Sequence, residues 1–234
     1  MGAMEETRHA LKQQLVDAIR MLERAGIINH SGHCSARRDG ESFYVNSGAS
    51  VRAALTVNDI VAVDLDGHLV EGSAAPPLEY HIHAELYRAR PDVNAVMHTH
   101  PQWSTFLTMA GVPYKRVYAQ GVLLGELPLL DSPMPINTRQ MGEKVAATLG
   151  KHPAALLKAH GAVTVGPDIV EAFVLAAYLE ENAYRQYMAM QIGEPYVFSA
   201  AEQQACREKL WSPNLFKKTW DHYDSKLTEV GSRR

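Results

Sequence analysis

Residues 154–166, AALLKAHGAVTVG, carry the clearest signal of the fold. Two runs of small and branched apolar residues, each too short for a helix, meet at His160-Gly161, and this reads as two short buried strands around a sharp reversal. Outward from there the same pattern recurs. DIVAVDLDGHLVEG (59–72) reads as a hairpin turning at Asp66-Gly67, and RRDGES (37–42) turns between HCSAR and SFYVN. NAVMHTH (94–100), stopped by Pro101, is a further buried strand. Helical spacing appears in Leu11, Leu15, Ala18, Ile19 and Leu22, with Gly26 placed as a stop. It appears again in LEYHIHAELYRARPDV (78–93), which ends before Pro91, in QWSTFLTMAG (102–111) and in TRQMGEKVAATLG (138–150). The longest helix is DIVEAFVLAAYLEENAYRQYMAMQIG (168–193), with Asp168 as N-cap and Gly193 as stop. KRVYAQGVLLGELPLLD (115–131) reads as irregular to strand-like. Strands that arrive mostly as hairpins, with helices between the later ones, predict an α/β fold of three layers: a central, mostly antiparallel sheet covered by helices on both faces. With no repeat, low-complexity tract or linker, residues 1–234 read as a single domain, and 195–234 read as a helical extension that docks on a neighbour.

Composition narrows the class. A chain of 234 residues with 46% hydrophobic and 21% charged residues can bury a sizeable core as one unit. The net charge of -3, with basic residues scattered, gives no reason to expect nucleic acid or an anionic membrane as partner. Small molecules and copies of the same chain are the expected partners. Cys34 and Cys206 have no CxxC spacing, so neither a disulfide framework nor a thiolate metal site is expected. A cytoplasmic location fits that usage, and no signal peptide or membrane span is read.

The chemistry sits in the histidines. In a strand, residues two apart share a face, so His98 and His100 present their rings side by side, as two metal ligands or as a surface pair. His160, at the end of a second apolar run and followed by a glycine that permits close backbone approach, adds a third imidazole. Three neutral imidazoles make a site for Zn, Mn or a similar divalent ion with open positions. Glu79, read as starting the helix upstream of the HxH strand, is then a further ligand or a proton carrier, against the plainer reading of a first-turn glutamate favoured by the helix dipole. His81 and His83, two apart on a helix, face different ways, so at most one points at the site. His33 lies in a glycine-containing turn and either bonds a substrate oxygen or satisfies its own backbone. His30, His68, His152 and His222 are assigned no role.

Taken in chain order, SGHCSAR (31–37), NSGAS (46–50), PPLEYH (76–81), HTHP (98–101) and AHGA (159–162) resemble the class II aldolase/adducin family over about residues 8 to 190. The resemblance implies that His98, His100 and His160 hold one divalent metal per subunit, Mn or Zn first and Fe or Co as alternatives, with no organic cofactor. It implies Glu79 as acid/base or fourth ligand and the Ser47-Gly48 loop as part of the substrate site. It also implies a homotetramer with active sites between subunits and a tyrosine entering from the neighbour, matched here to Tyr118. Two departures bear on the substrate. Phosphosugar members carry paired hydroxyl side chains just before the glutamate, where this chain has Pro77-Leu78, and His33 replaces the asparagine of the sugar-phosphate turn. With Arg37 and Arg52 nearby, a planar carboxylate becomes the expected anion.

Several strings, including the tail KLWSPNLFKKTWDHYD (209–224), are similar to a smaller branch of decarboxylases. These act on aromatic acids with a hydroxyl beside the lost carboxylate, of the dihydroxyphthalate or hydroxypyridine-dicarboxylate type. The expectation is therefore a metal-dependent carboxy-lyase. When CO2 leaves a ring carbon, an adjacent oxygen on a divalent cation accepts the electrons and Glu79 returns a proton. Two alternatives remain: an aldolase acting on a non-phosphorylated hydroxy-keto acid, and a non-catalytic interaction protein like the adducin head.

Overall fold

The computed structural model describes residues 2–228; positions 229–234 of the expected extension lie outside the described residues. The chain begins with helix α1 (Ala3–Arg24) and continues through strands β1 (His33–Arg37), β2 (Ser42–Asn46), β3 (Ile60–Asp64) and β4 (Leu69–Glu71). Helix α2 (His81–Ala89) leads into β5 (Ala95–Thr99) and α3 (Gln102–Met109). After β6 (Leu129–Leu130) come α4 (Arg139–Leu149), β7 (Ala154–Leu157), β8 (Gly161–Gly166) and α5 (Ile169–Ile192), and the tail forms α6 (Ala200–Leu210) and α7 (Pro213–Thr228).

The strands form one eight-stranded sheet in the order β4-β3-β2-β1-β5-β8-β7-β6. Every pairing is antiparallel except β6 with β7. Both expected hairpins are present, β1 with β2 and β3 with β4, and so is the reversal between β7 and β8. Alternation along β5 sorts the core onto two faces. Ala95 and Met97 join a cluster with Leu15, Ile19 and Phe173, while Val96 joins Ile82, Leu86, Val145 and Val163. Helices α1, α5 and α7 therefore cover one face, and α2 and α4 the other.

Part of the tail docks on its own chain: Phe216 is buried in the core, Trp220 meets Phe173 edge-on at 5.2 Å, and α7 packs against α1 and α5. Burying a phenylalanine returns about 1.5–3 kcal/mol, which explains why a polar-looking segment folds back. Among the described residues no helix is long and apolar enough to cross a membrane, and Cys34 and Cys206 are both free thiols.

Candidate metal centre

The register of three central strands assembles the site. His33 stands opposite His98 on β1 and β5, and His98 stands opposite Val163 on β8. His98 shares the parity of Val96, so its ring projects to the face covered by α2 and α4. His100 lies one residue beyond the end of β5, where its N–H donates to the carbonyl of Ile27 at 3.1 Å. His160 sits in the three-residue turn after β7, not at the end of the strand as the sequence reading had it. The turn holds Ala159 in the left-handed region at φ 51°, and the Ala159 N–H donates to Thr108 Oγ1 at 3.0 Å. Gly161 is required at the next position, because an added Cβ would lie 2.2 Å from the Thr99 carbonyl oxygen and 3.0 Å from His100 Cδ2.

Glu79 also departs from expectation. It precedes α2 in a turn, so it is not a first-turn helix residue. Its Oε1 accepts the N–H of Ile136 at 2.7 Å, which fixes the carboxylate between the histidines. Oε2 lies 3.5 Å from His98 Nε2 and 3.8 Å from His33 Nε2, and Oε1 lies 3.6 Å from His160 Nε2. Glu79, His98, His100 and His160 each offer one donor atom, and these four atoms lie within 4.8 Å of one another.

The hydrogen bonds behind the rings decide what those atoms are. His98 Nδ1 donates to the carbonyl of Ala162 at 3.2 Å. The amide oxygen of Asn29 accepts the Ser31 N–H at 2.9 Å, so His100 Nδ1, 2.9 Å from the same oxygen, is also a donor. A neutral imidazole with a proton on Nδ1 keeps a lone pair on Nε2. The Nε2 atoms of His98 and His100 are 3.1 Å apart and face each other. No proton lies between them, and the Glu79 carboxylate lies 3.5 Å from the His98 Nε2. Two nitrogens at 2.0–2.1 Å from one tetrahedral ion are separated by roughly 3.3 Å, so the donor set fits a divalent metal. Partners on the remote nitrogens of His98 and His100 orient ligand rings in the way metal sites require.

Electrostatics agree. Burial, with neighbouring imidazoles adding to it, lowers the His100 pKa to about 3. Burial likewise dominates the lowering of His33 to about 4 and of His98 below the ordinary histidine range, against the opposing pull of Glu79. These rings are neutral at physiological pH, the form that ligates a metal. Burial pushes the Glu79 carboxyl up and hydrogen bonding from imidazole N–H neighbours, His33 among them, pushes it down, with a net direction below the ordinary carboxylate range.

The site opens into a cavity of about 740 Å³. Gly48 and Arg52 line it, as do Pro77 and Leu78. Gly48 donates its N–H to Ala75 O at 3.0 Å, and its α-carbon side faces Pro76 so closely that an added Cβ would lie 3.2 Å from the Pro76 carbonyl. Ser47 is buried beneath the loop, and its carbonyl accepts from Ser50 Oγ at 2.7 Å. Arg52 is 3% exposed; its Nε donates to Gly32 O at 2.8 Å and its Nη1 to the carbonyls of Ser50 and Ser47. Its Nη2 has no protein acceptor among the described residues.

One sequence expectation, Arg37, is corrected here, and two further residues are placed. Arg37 is not brought to the cavity: it ends β1 at the far end from His33, and its guanidinium donates to the carbonyls of Val93, Tyr87 and Arg90 at 3.0–3.1 Å, binding the exposed carbonyls at the end of α2. Tyr118 does not line the cavity of its own chain; its ring lies 4.1 Å from the Arg185 guanidinium and its N–H donates to Asn182 Oδ1 at 3.1 Å. His30, assigned no role from sequence, lines the cavity. Of the two helix histidines, His83 is the one that faces the site, through His33, while Asn29, behind His100, gave no local signal at all.

The sequence matches the Class II Aldolase and Adducin N-terminal domain over residues 13–187, and the chain belongs to that family. Among its relatives, the 5-methylthioribulose-1-phosphate/5-deoxyribulose-1-phosphate aldolase of Rhodospirillum rubrum is 29% identical over 207 residues, covering 88% of this chain and 93% of that one. The 3,4-dihydroxyphthalate decarboxylase of Arthrobacter keyseri is 28% identical over 197 residues, covering 76% and 77%. In fold, the chain is similar to the L-fuculose 1-phosphate aldolase from Glaciozyma antarctica PI12, with a TM-score of 0.86 at 22% identity over 98% of this chain and 93% of that one.

Proposed function

We propose that this protein is a divalent-metal-dependent lyase of the aldolase type, cleaving a carbon–carbon bond in a small hydroxycarbonyl compound that carries an anionic group. One observation carries the reading: the hydrogen bonds of His98 and His100 leave their Nε2 lone pairs facing each other beside the Glu79 carboxylate. His98, His100 and His160 are the residues that would hold the ion, with Glu79 beside them. A divalent ion in that place supplies Lewis-acid polarisation of the substrate oxygen and so a sink for the electrons of the breaking bond.

The protein groups do the rest. Glu79, held ionised and anchored through Oε1 to the Ile136 N–H, takes the hydroxyl proton of the substrate and returns it to carbon. Arg52, its other nitrogens tied to the chain, offers Nη2 to the substrate anion, a charge-assisted bond that orients it. Among the described residues no tyrosine of the same chain lines the cavity. That supports a homotetrameric assembly in which Tyr118 of a neighbouring subunit completes the site. The match to curated aldolases over nearly the whole chain favours this reading over decarboxylation.

Loss of CO2 from an ortho-hydroxy aromatic acid is the second reading. It is favoured by the apolar wall of Pro77 and Leu78 at the cavity, which lacks the hydroxyls expected for a phosphosugar, and by the decarboxylase relative. The zinc- or manganese-loaded protein, incubated with hydroxy-keto acids, sugar 1-phosphates and hydroxylated phthalates, separates the two. An aldehyde or ketone product is the expected result; CO2 from the phthalates alone overturns the aldolase reading in favour of decarboxylation.

A further inference from the structure

Beside Glu79 and in ring contact with His98 at 4.8 Å, His33 begins a chain of buried polar atoms that runs into the interface between β1 and α2. His33 Nδ1 lies 2.7 Å from His83 Nε2, His83 Nδ1 lies 2.6 Å from Ser35 Oγ, and Ser35 Oγ lies 2.7 Å from the Tyr87 hydroxyl. His33, Ser35, His83 and Tyr87 are all 3% exposed or less. At the far end, His33 Nε2 is buried, has no hydrogen-bond partner, and points toward Glu79 Oε2 at 3.8 Å. None of the metal-ligand geometry uses these four residues.

The chain can run in only one of two directions. If His33 donates from Nδ1 to His83, then His83 donates to Ser35, and either the Ser35 or the Tyr87 proton is left without an acceptor in a buried place. In that direction His33 Nε2 also becomes a lone pair aimed at a carboxylate. A buried donor without a partner costs about 1–3 kcal/mol, and the facing lone pair and carboxylate repel in addition. In the opposite direction Tyr87 donates to Ser35, Ser35 to His83 Nδ1, and His83 Nε2–H to His33 Nδ1. Every atom of the relay is then satisfied, and the one remaining donor, the buried His33 Nε2–H, points toward the Glu79 carboxylate and is attracted by it instead of repelled.

We propose that Tyr87, Ser35 and His83 form a directional hydrogen-bond relay that locks His33 as an Nε2–H donor beside Glu79, and that this N–H is a recognition group for a substrate oxygen. The gap of 3.8 Å to Glu79 is too long for a direct bond and leaves the donor for an incoming acceptor. A proton-accepting tautomer here would repel an anionic or carbonyl oxygen, so the relay selects for substrates that place an acceptor on the β1 side of the carboxylate. Tyr87, Ser35 and His83 act through His33 and are positioning residues. The substrate half of this inference rests on the lyase reading, whereas the tautomer half does not.

The test is the nitrogen-15 spectrum of histidine-labelled, zinc-loaded protein, with the His33 signals assigned by their loss in His33→Asn and by the proton they share with His83. A protonated Nε2 and an unprotonated Nδ1 on His33 are expected; the reverse pattern overturns the relay whatever the reaction proves to be. Tyr87→Phe removes the proton that sets the direction. It is expected to mix the His33 tautomers, leave the zinc content at the wild-type level and raise KM on the order of tenfold with little change in kcat. An unmixed His33 spectrum, or a fall in zinc content that accounts for the kinetic change, refutes the role of Tyr87. If no lyase activity is found with any substrate class but the tautomer pattern holds, the lyase reading falls and the relay stands.

Discussion

Glu79 is the one carboxylate in the cluster it forms with His98, His100 and His160. Its two oxygens divide the work: Oε1 is anchored by the Ile136 N–H, and Oε2 faces His98 and His33. Glu79→Gln keeps the size and the anchor while removing the charge and the base. Turnover is expected to fall by roughly 10²–10⁴-fold, the usual share of a general base, while zinc stays bound through the three histidines. Steady-state kinetics with parallel elemental analysis check this. Undiminished turnover removes Glu79 from the proton transfer, and loss of zinc makes it a required ligand.

At the scale of elements, the site is a product of strand register. His33, His98 and the turn that carries His160 meet because β1, β5 and β8 are adjacent and antiparallel, and Gly161 lets β8 lie against Thr99 without a side chain between. Gly161→Ala forces a Cβ into the Thr99 carbonyl. A cost of about 1–3 kcal/mol is expected, seen as a drop in Tm of roughly 2–4 °C per kcal/mol for a chain of this size, together with weakened zinc affinity as His100 is displaced. An unchanged melt and unchanged affinity contradict the close approach. The hairpins, the HxH strand, His160 and Glu79 were legible in the sequence because each rests on local alternation or on turn residues. His83 was legible only as half of an ambiguous pair, since which face of a helix meets the site is set by packing against β1. Arg37 was misplaced for the same reason: sequence proximity to His33 says nothing about which end of a strand it occupies. Asn29 and Ser35 were invisible, because their partners lie 71 and 48 positions away.

At the scale of the whole molecule, two cores on opposite faces clamp one sheet, and the tail seals the outer face through Phe216 and Trp220. The candidate metal centre stands at one end of the central strands, framed by loops 46–52 and 75–80, which carry Gly48, Arg52 and Glu79. That the tail is helical and carries tryptophan and lysine is legible in the sequence, and the tertiary contact shows that Phe216 and Trp220 meet their own chain. A metal held by His100 and His160 would join segments 60 positions apart in sequence, and zinc that binds the folded chain alone is expected to stabilise it by mass action, about 4 kcal/mol at a thousandfold excess over Kd. The central claim is that His98, His100 and His160 with Glu79 form one divalent-metal site. Calorimetric titration of zinc into chelator-stripped protein tests it most directly: one ion per chain is expected for the wild type, with binding abolished or weakened at least a hundredfold in His160→Ala, whereas no zinc binding by the wild type, or equal binding by the variant, contradicts the account.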